Sequence, residues 1–274
     1  LKCPSALHTH TREMTLVATV PQLSPSSAGV AANNGLPSPV DTTPAAATNP
    51  REQRARRLWK SADAVCFDVD STVCQNEAID ELAEYLGVGE AVAAATQRAM
   101  NGSTRFRDAL STRLGIMQPT RVALQEFISR PPKLTPGIKE LVAALHAREV
   151  DVYLVSGGFR PIIRPVAEHL SIPQERIYAN EILFHSDGSY AGFDTNELTS
   201  DSGSIEVGKA GVCGMLKKRQ SYERLVMVGD GATDAEAAPP ADLFIAFGGN
   251  AVRESVKDAA DWFVQSFDVL RKAL

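Results

Sequence analysis

The sequence predicts an α/β fold with a Rossmann-like core, in which a parallel sheet is covered by helices on both faces. Strands of such sheets are buried on both sides and read as nearly continuous apolar runs. Four runs of this kind occur, at 64–67, 151–155, 225–228 and 243–246. Helical patterns separate the later runs, at 137–148, 160–170, 207–218 and 251–257. Polar and glycine-rich residues follow the first three runs, where open parallel sheets bind ligands.

Residues 1–51 precede the predicted fold and differ from it in composition. The first fifty residues hold seven of the sixteen prolines, eight alanines and twelve serines or threonines. Such a segment cannot bury enough apolar surface to offset the entropy of ordering it, so we expect disorder. A serine- and alanine-rich, acid-poor leader is also typical of a transit peptide, and its scarcity of arginine favours a plastid. An untargeted tail on a cytoplasmic protein is the alternative.

The bulk composition limits the partners of the chain. Its 274 residues, 44% of them hydrophobic, suffice for one core and a small insert. The net charge is −5 and the basic residues form no stripe, so we expect no nucleic acid partner. No run of 18 apolar residues occurs, so we expect no membrane span. The four cysteines show no pairing pattern, and we expect free thiols.

A helix predicted at 52–60 leads into the first strand, and about 80 residues of helical character follow that strand. The first helix of this insert places four apolar residues on one face: Ile79, Leu82, Ala83 and Leu86. Glycines and prolines then interrupt the pattern several times. We predict a cap of about four helices at 77–134, inserted after the first strand, with 52–76 and 135–274 as the core.

The remaining elements follow in order along the chain. After the second strand and its helix, residues 177–184 and 189–193 predict a β-hairpin that turns at Asp187-Gly188. The third and fourth strands then complete the sheet. Because parallel strands need crossover connections, we expect each crossover to be right-handed.

Carboxylates cluster at the predicted strand ends. Asp68 and Asp70 follow the first strand, and residues two apart on a strand face the same side. Asp230 follows the third strand. Three carboxylates at one edge stay ionised together only beside a compensating cation, and a hard, oxygen-preferring ion such as Mg²⁺ suits them.

These residue types can transfer a phosphoryl group. One of the paired aspartates can attack phosphorus while the other acts as acid and then as base. Ser156 and the amide of Gly157, after the second strand, can hold phosphoryl oxygens. Lys209 can neutralise their charge, although Lys217 and Lys218 lie a little over two turns further along the same predicted helix.

The ordered strings FDVDST, LVSGG, a lone lysine and MVGDGATD resemble the haloacid dehalogenase superfamily. Longer strings, among them STVCQNEAIDELA, KLTPGIKELV and VGDGATDAEAAPPADLFIAFGGN, resemble its phosphoserine phosphatase family from about residue 60 to the end. The resemblance implies a haloacid dehalogenase fold with a helical cap that reads the substrate. It also implies a phosphomonoester hydrolase that depends on Mg²⁺.

The resemblance also implies a role for each matching residue. Asp68 is expected to be the nucleophile and a metal ligand, and Asp70 the acid and base, with its backbone carbonyl on the metal. Asp230 is expected to complete the metal ligands, with Asp234 supporting them from behind. The phosphoryl group is expected to contact four residues: Ser156, Gly157, Lys209 and Thr233.

In the cap, the resemblance implies that Glu77 binds the substrate ammonium and Arg113 its carboxylate, while Met100 lines the pocket. A zwitterion requires one anion and one cation at a fixed separation, so this pairing is physically sensible. The chain departs from the family pattern at Asn101, where glycine is expected. The stretch SDSGSIEVGKAGV before the third strand is also longer than usual.

The implied reaction converts O-phospho-L-serine and water to L-serine and phosphate through an aspartyl-phosphate, as the last step of the phosphorylated pathway of serine biosynthesis. One alternative is a related phosphatase or phosphotransferase for another small phosphorylated metabolite. Another is a non-catalytic homologue that acts as a binding protein. The oligomeric state stays open, with a homodimer as one alternative.

Overall fold

The structure, a computed structural model, describes residues 49–100 and 104–274, apart from the side chain of Met100. The predicted leader up to residue 48, and Asn101, lie outside these residues. Pro50 and Arg51, which the composition assigned to a disordered leader, instead form the first turn of a helix. The side chain of Asn49 caps this helix by accepting from the Arg51 amide, and proline suits a first turn.

The described elements alternate between strands and helices along the chain. The strands are β1 (Ala64–Phe67), β2 (Asp151–Phe159), β3 (Ile177–Asn180), β4 (Ile182–Phe184), β5 (Tyr190–Phe193), β6 (Leu225–Gly229), β7 (Leu243–Phe247) and β8 (Trp262–Val264). The helices are α1 (Pro50–Lys60), α2 (Ala78–Tyr85), α3 (Gly89–Met100), α4 (Phe106–Met117), α5 (Arg121–Ile128), α6 (Ile138–His146), α7 (Arg160–His169), α8 (Gly208–Gln220), α9 (Ala232–Ala235), α10 (Glu254–Ala259) and α11 (Phe267–Lys272).

Six strands form one parallel sheet in the order β3-β2-β1-β6-β7-β8, which confirms the predicted fold class. Strand β1 lies in the middle, and its side chains alternate between two apolar layers. Val65 and Phe67 pack in the layer that includes α1, α6, α7 and α11. Ala64 and Cys66 pack in the layer that includes α8 and α10. Because both faces of β1 are covered, only residues at the strand ends can reach a ligand.

The predicted hairpin is wrong in its first arm. Ile177–Asn180 is not part of a hairpin but pairs in parallel with β2, as the edge strand of the main sheet. Only β4 and β5 pair antiparallel, around the predicted turn, where Asp187 Oδ1 accepts from the Ser189 amide at 2.9 Å. The apolar residues Ile177 and Ala179 are buried in the main core, which explains why this segment joins the larger sheet.

Strand β2 also runs further than predicted, because Ser156, Gly157 and Gly158 lie within it and not after it. Val155 is paired with Tyr178, and Phe159 with Asn180, so the register shifts between these two pairs. Three residues of β2 therefore lie opposite one residue of β3. Such bulges bend a strand and redirect its side chains next to active sites.

Helices α2 to α5 occupy the range that the sequence assigns to the cap. Their apolar faces meet in a cluster of their own, to which the core contributes Phe159 and Ile182. The two connections to the core run side by side, since Thr135 donates its amide to Val73 at 2.9 Å and Cys74 bridges to Leu134. No helix in residues 49–100 and 104–274 is long and apolar enough to cross a membrane.

Candidate active site

The carboxyl end of β1 delivers two aspartates to one cavity. The Asp68 amide donates to Val228 at 2.9 Å, which extends the pairing with β6 by one residue. The chain then makes a tight turn over Val69–Val73, in which Ser71 adopts a positive φ of 54°. This turn leaves both Asp68 and Asp70 lining the same cavity.

The cavity has a volume of about 180 Å³ and lies between the strand ends and the cap range. It brings together every predicted site residue except Met100, whose side chain lies outside the described part of the chain. Those lining residues are Asp68, Asp70, Glu77, Arg113, Ser156, Gly157, Lys209, Asp230, Thr233 and Asp234. Their functional roles stay predictions.

Lys209, at the start of α8, is the cation at the centre of this group. Its Nζ lies 2.7 Å from Asp68 Oδ1 and 2.6 Å from Asp234 Oδ1. Burial alone would lower the pKa of Lys209, but the charges of Asp234 and Asp68 outweigh it and the pKa is raised. Lys217, one of the alternatives, instead pairs with Asp242 at the opposite end of the sheet.

Three buried carboxylates have the composition of a site for a hard cation. One oxygen from each of Asp68, Asp230 and Asp234 lies within 4.8 Å of the others. Thr72 orients Asp230 by donating its hydroxyl to Oδ1 at 2.8 Å. Asp234 is already engaged at both oxygens, by Lys209 and by the Gly231 amide. An all-oxygen donor set of this charge fits a divalent ion such as Mg²⁺.

Asp70 is held in a different environment from Asp68. Its Oδ1 accepts from the Ala78 amide at 2.9 Å, at the start of α2. Burial, helped by the negative charges of Glu77 and Asp68, raises the pKa of Asp70 to about 7. The two neighbouring carboxylates are therefore distinguished by their surroundings, as acid–base pairs in active sites are.

The bulge in β2 forms a cradle of small residues beside these aspartates. Ser156 is buried, and its Oγ accepts from the Gly158 amide at 2.9 Å. A β-carbon added to Gly158 would lie 3.0 Å from Asp70 Oδ2. One added to Gly157 would lie 2.7 Å from the ring of Phe106. Side chains at either position would fill the space where the strand faces the cavity.

Two charges of opposite sign enter the cavity from the cap range. Glu77 accepts from the Ser71 hydroxyl at 2.8 Å. Arg113, on α4, donates its Nε to the Ala109 carbonyl at 3.3 Å, and burial lowers its pKa. Both line the cavity, so the structure brings the predicted substrate-reading pair to the same space as Asp68.

Two functional candidates were missed by the sequence analysis. Phe106 begins α4 and covers Gly157. Arg253, before α10, contacts the Asp230 carboxylate and lies 3.6 Å from Glu77 Oε1. Arg253 stands 23 positions after Asp230, and its contact with Asp230 depends on the folded chain. No local sequence pattern therefore indicates it. Phe106 resembled an ordinary apolar helix residue.

Comparisons with known proteins place the chain in a family. The model of the haloacid dehalogenase-like hydrolases matches residues 62–242. A phosphoserine phosphatase of Rattus norvegicus is 52% identical over 213 residues, which cover 77% of this chain and 93% of that protein. The chloroplastic phosphoserine phosphatase of Arabidopsis thaliana is 51% identical over 220 residues, covering 79% of this chain and 73% of that protein.

Solved structures show the same similarity. A substrate-bound phosphoserine phosphatase complex has a TM-score of 0.63 and 27% identity, covering 76% of this chain and 95% of the other. A phospho-aspartyl intermediate analogue of phosphoserine phosphatase has a TM-score of 0.61 and 28% identity, covering 75% of this chain and 94% of the other.

Proposed function

The chain belongs to the haloacid dehalogenase-like hydrolases, and to the phosphoserine phosphatases among them, and from that membership we propose a mechanism in which Asp68 carries the phosphoryl group of O-phospho-L-serine. One observation supports this most directly. A single cavity joins the Asp68–Lys209 pair to Glu77 and Arg113, which have opposite charges. Phosphoserine offers a phosphate for the first pair, and an ammonium and a carboxylate for the second.

In the first step, an Asp68 oxygen attacks phosphorus and the bond from phosphorus to the serine oxygen breaks. Ser156, the Gly157 amide and Lys209 stabilise the negative charge on the phosphoryl oxygens. Asp70 gives its proton to the leaving serine oxygen, so that L-serine departs as an alcohol. The product left on the enzyme is an aspartyl-phosphate on Asp68.

In the second step, water attacks the phosphorus of the aspartyl-phosphate. Asp70, now ionised, takes a proton from that water, which restores the protonation state with which the cycle began. The phosphorus–oxygen bond to Asp68 breaks, and the carboxylate is released together with inorganic phosphate. Water supplies both the oxygen of the phosphate and the proton that Asp70 regains.

We propose that Mg²⁺ is held by the carboxylates of Asp68 and Asp230 and by the backbone carbonyl of Asp70, with Asp234 behind them. When bound, the ion supplies positive charge that offsets the repulsion between the nucleophile and the phosphate. The buried all-oxygen donor set supports a hard divalent cation. The choice of Mg²⁺ comes from the family resemblance.

We propose that the cap range selects the serine part of the substrate. Glu77 binds the ammonium, Arg113 binds the carboxylate, and Met100 lines the pocket. Arg253 lies 3.6 Å from Glu77, close enough to screen its charge when no ammonium is present. Arg113 is half-buried, which strengthens its attraction for a carboxylate because less water competes there than at an exposed site.

The test compares two substrates and two matched arginine variants. The full chain with Mg²⁺ is assayed for phosphate release from O-phospho-L-serine and from p-nitrophenyl phosphate, which has no amino acid part. We expect Arg113→Gln to raise KM for phosphoserine about a hundredfold, the loss of one charged hydrogen-bond pair at a half-buried site, and to spare the aryl phosphate. Arg121→Gln, the same change on the exposed surface of α5, should leave both activities unchanged.

Equal losses of activity on both substrates would show that Arg113 does not select the serine part of the substrate. No release of phosphate from phosphoserine by the unaltered chain, with release from the aryl ester, would move the assignment to another small phosphorylated metabolite.

We also propose that the protein works in a plastid. The relative from Arabidopsis thaliana is described as chloroplastic, and residues 1–50 have the serine- and alanine-rich, acid-poor composition of a transit peptide. Incubation of the full chain with isolated chloroplasts should give a shortened, protease-protected product. A product that stays full-length and protease-sensitive would return the protein to the cytoplasm.

A further inference from the structure

The β2 bulge leaves the backbone of the cradle without the regular pairing that would fix its orientation. Gly157 lies between the paired residues Val155 and Phe159 and has no register partner on β3. Glycine has the widest choice of backbone torsions of any residue. A backbone amide stabilises a developing charge only when it is already aimed at it, so the Gly157 backbone requires an external support.

The side chain of Asn180, the last residue of β3, provides a contact at this point. Its Nδ2 donates to the Gly157 carbonyl at 2.8 Å. The next amide, that of Gly158, donates to Ser156 Oγ. The peptide group between Gly157 and Gly158 is therefore held at both ends, at its oxygen by Asn180 and at its nitrogen by Ser156.

Asn180 is itself held in place by a second residue. It is completely buried, and its Oδ1 accepts from the Thr199 hydroxyl at 2.9 Å. Thr199 is also buried. Because the amide oxygen accepts from Thr199, the NH₂ group is directed towards the Gly157 carbonyl. A flipped amide would place its oxygen against that carbonyl oxygen, which cannot donate a hydrogen bond. Thr199 thus selects one of the two orientations of the Asn180 amide.

The segment that carries Thr199 is anchored from the other side of the cavity. Arg107, on α4, donates its Nη2 to the Ser200 Oγ at 3.0 Å and to the Thr195 carbonyl at 3.3 Å. Its Nε lies 3.5 Å from Asp201 Oδ2. Arg107 therefore ties α4 to the segment on both sides of Thr199, at Thr195 and at Ser200.

We propose that Asn180 is a positioning residue for the phosphoryl cradle, oriented by Thr199, and that it sets the backbone of Gly157 for binding phosphoryl oxygens. This inference rests on the proposed function, since it presumes that the cradle binds the phosphoryl group. Neither residue touches the substrate in this account. Their effect reaches it through the Gly157–Gly158 peptide, which adjoins the Gly157 amide at the Gly157 α-carbon and donates its N–H to the Ser156 hydroxyl.

The experiment separates binding to the cradle from binding to the cap range. Inorganic phosphate is used as a probe of the cradle and L-serine as a probe of the cap range, each as an inhibitor of phosphoserine hydrolysis by the full chain with Mg²⁺. Direct binding of phosphate is also measured by calorimetry. The variants are Asn180→Leu, Thr199→Val and Thr199→Ser. Thr112→Val makes the same change on an exposed hydroxyl that bonds within α4.

We expect Asn180→Leu and Thr199→Val to raise the inhibition constant of phosphate about tenfold, the loss of one oriented buried hydrogen bond, and to lower kcat. The inhibition constant of L-serine should stay unchanged. Thr199→Ser keeps the hydroxyl and should restore the wild-type values, and Thr112→Val should match the wild type.

Several results would overturn the proposal. One is an unchanged phosphate constant in a Thr199→Val protein that melts like the wild type. Another is an equal rise for phosphate and L-serine, which would indicate general loosening of the fold. If Asn180→Leu does not fold, the comparison of Thr199→Val with Thr199→Ser tests the proposal without it. If the wild type binds phosphate but does not hydrolyse phosphoserine, the proposed function fails while calorimetry still tests the role of Asn180.

Discussion

The two ends of the parallel sheet use aspartate for opposite purposes. At the amino end, four aspartates stand at or just before a strand, and each has a basic partner of its own. These pairs are Asp63 with Arg224 at 2.9 Å, Asp151 with Arg176 at 2.6 Å, Asp242 with Lys217 at 2.7 Å and Asp261 with Arg51 at 3.2 Å. At the carboxyl end, Asp68, Asp70, Asp230 and Asp234 line one cavity together with the cations Lys209, Arg253 and Arg113. Lys209 serves both Asp68 and Asp234, and Arg253 contacts Asp230.

Aspartates at the amino end also accept hydrogen bonds from backbone amides of neighbouring strands. Asp63 Oδ2 accepts from the amides of Glu223 and Arg224 at 3.0 and 2.8 Å, which ties the entry of β6 to that of β1. Asp242 accepts from the Leu225 amide and Asp261 from the Phe244 amide in the same manner. These aspartates have their charge and their hydrogen bonds satisfied by the fold, so they stabilise the sheet.

The carboxyl end has more negative charge than the fold itself compensates. Glu77 adds a further carboxylate to the same cavity. Bringing like charges together costs free energy, which the fold tolerates where a ligand restores the balance. The comparison teaches that residue type alone does not mark a functional aspartate. The number of partners available to it does.

The largest effect on activity should come from substituting the proposed nucleophile at the carboxyl end of the sheet. Asp68→Asn keeps the shape of the side chain but removes the carboxylate that attacks phosphorus. We expect phosphate release from O-phospho-L-serine to fall on the order of 10³-fold or more, with the protein still folded. Steady-state kinetics and circular dichroism measure the two properties.

Asp242→Asn is the matched change at the amino end and should keep most of the activity. If it reduced kcat as strongly as Asp68→Asn, the contrast between the two ends would be wrong. Full activity of Asp68→Asn would instead remove Asp68 as the nucleophile.

A second prediction concerns the charge deficit at the carboxyl end. Mg²⁺ at a hundredfold excess over its Kd should stabilise the folded chain by about 2.7 kcal/mol, seen as a rise in Tm over the same protein in a chelator. Chelation should also abolish phosphate release. Asp230→Asn replaces one carboxylate oxygen with an NH₂ group and removes a negative charge from the donor set, so it should lose most of the rise in Tm.

The matched Asp242→Asn protein should keep the full rise, since its carboxylate belongs to a complete pair. A rise in Tm that survives in Asp230→Asn but vanishes in Asp242→Asn would place the cation at the other end of the sheet.

The sequence predicted the carboxyl end better than it predicted the elements around it. Asp68 and Asp230 were identified because the strand ends of a parallel sheet meet at one edge. Lys209, at the start of α8, was identified from its place in the order of motifs along the chain. Strand β1 was placed at its observed ends because four apolar residues are bounded by polar ones. Local pattern and topology were sufficient for these features.

What the sequence could not provide depends on register and on long-range contacts. The path of Ile177–Asn180 depends on pairing with β2, and an apolar run of four residues is compatible with a hairpin or an edge strand. Strand β8 was missed because three residues carry too little periodicity. Arg253 and Asn180 reach the site through the folded chain, and neither has a local signal that distinguishes it from a surface charge or a turn residue.

The smallest predicted effect tests the amino end. Asp63→Ala removes a half-buried carboxylate that accepts from two backbone amides and pairs with Arg224. Since the site is partly exposed to solvent, we expect the free energy of unfolding to fall by roughly 1 kcal/mol, with kcat unchanged. Urea unfolding and steady-state kinetics measure these two quantities.

The difference in free energy of unfolding between the wild type and Asp63→Ala should depend on pH in a predictable direction. Burial opposes ionisation of Asp63, but its bonds to Arg224 and to the Glu223 amide outweigh burial, so the pKa lies below its ordinary value of 3.8. A carboxyl group with a lowered pKa contributes stability that is complete above 3.8 and disappears as the pH falls through the lowered value. The wild type and Asp63→Ala should therefore differ by a constant amount from about pH 7 down to about pH 5, and converge in more acidic solution. A difference that grew on acidification would mean that ionisation of Asp63 destabilises the fold, as burial makes it do for Asp70, whose pKa is raised. That result would erase the distinction between the two ends of the sheet.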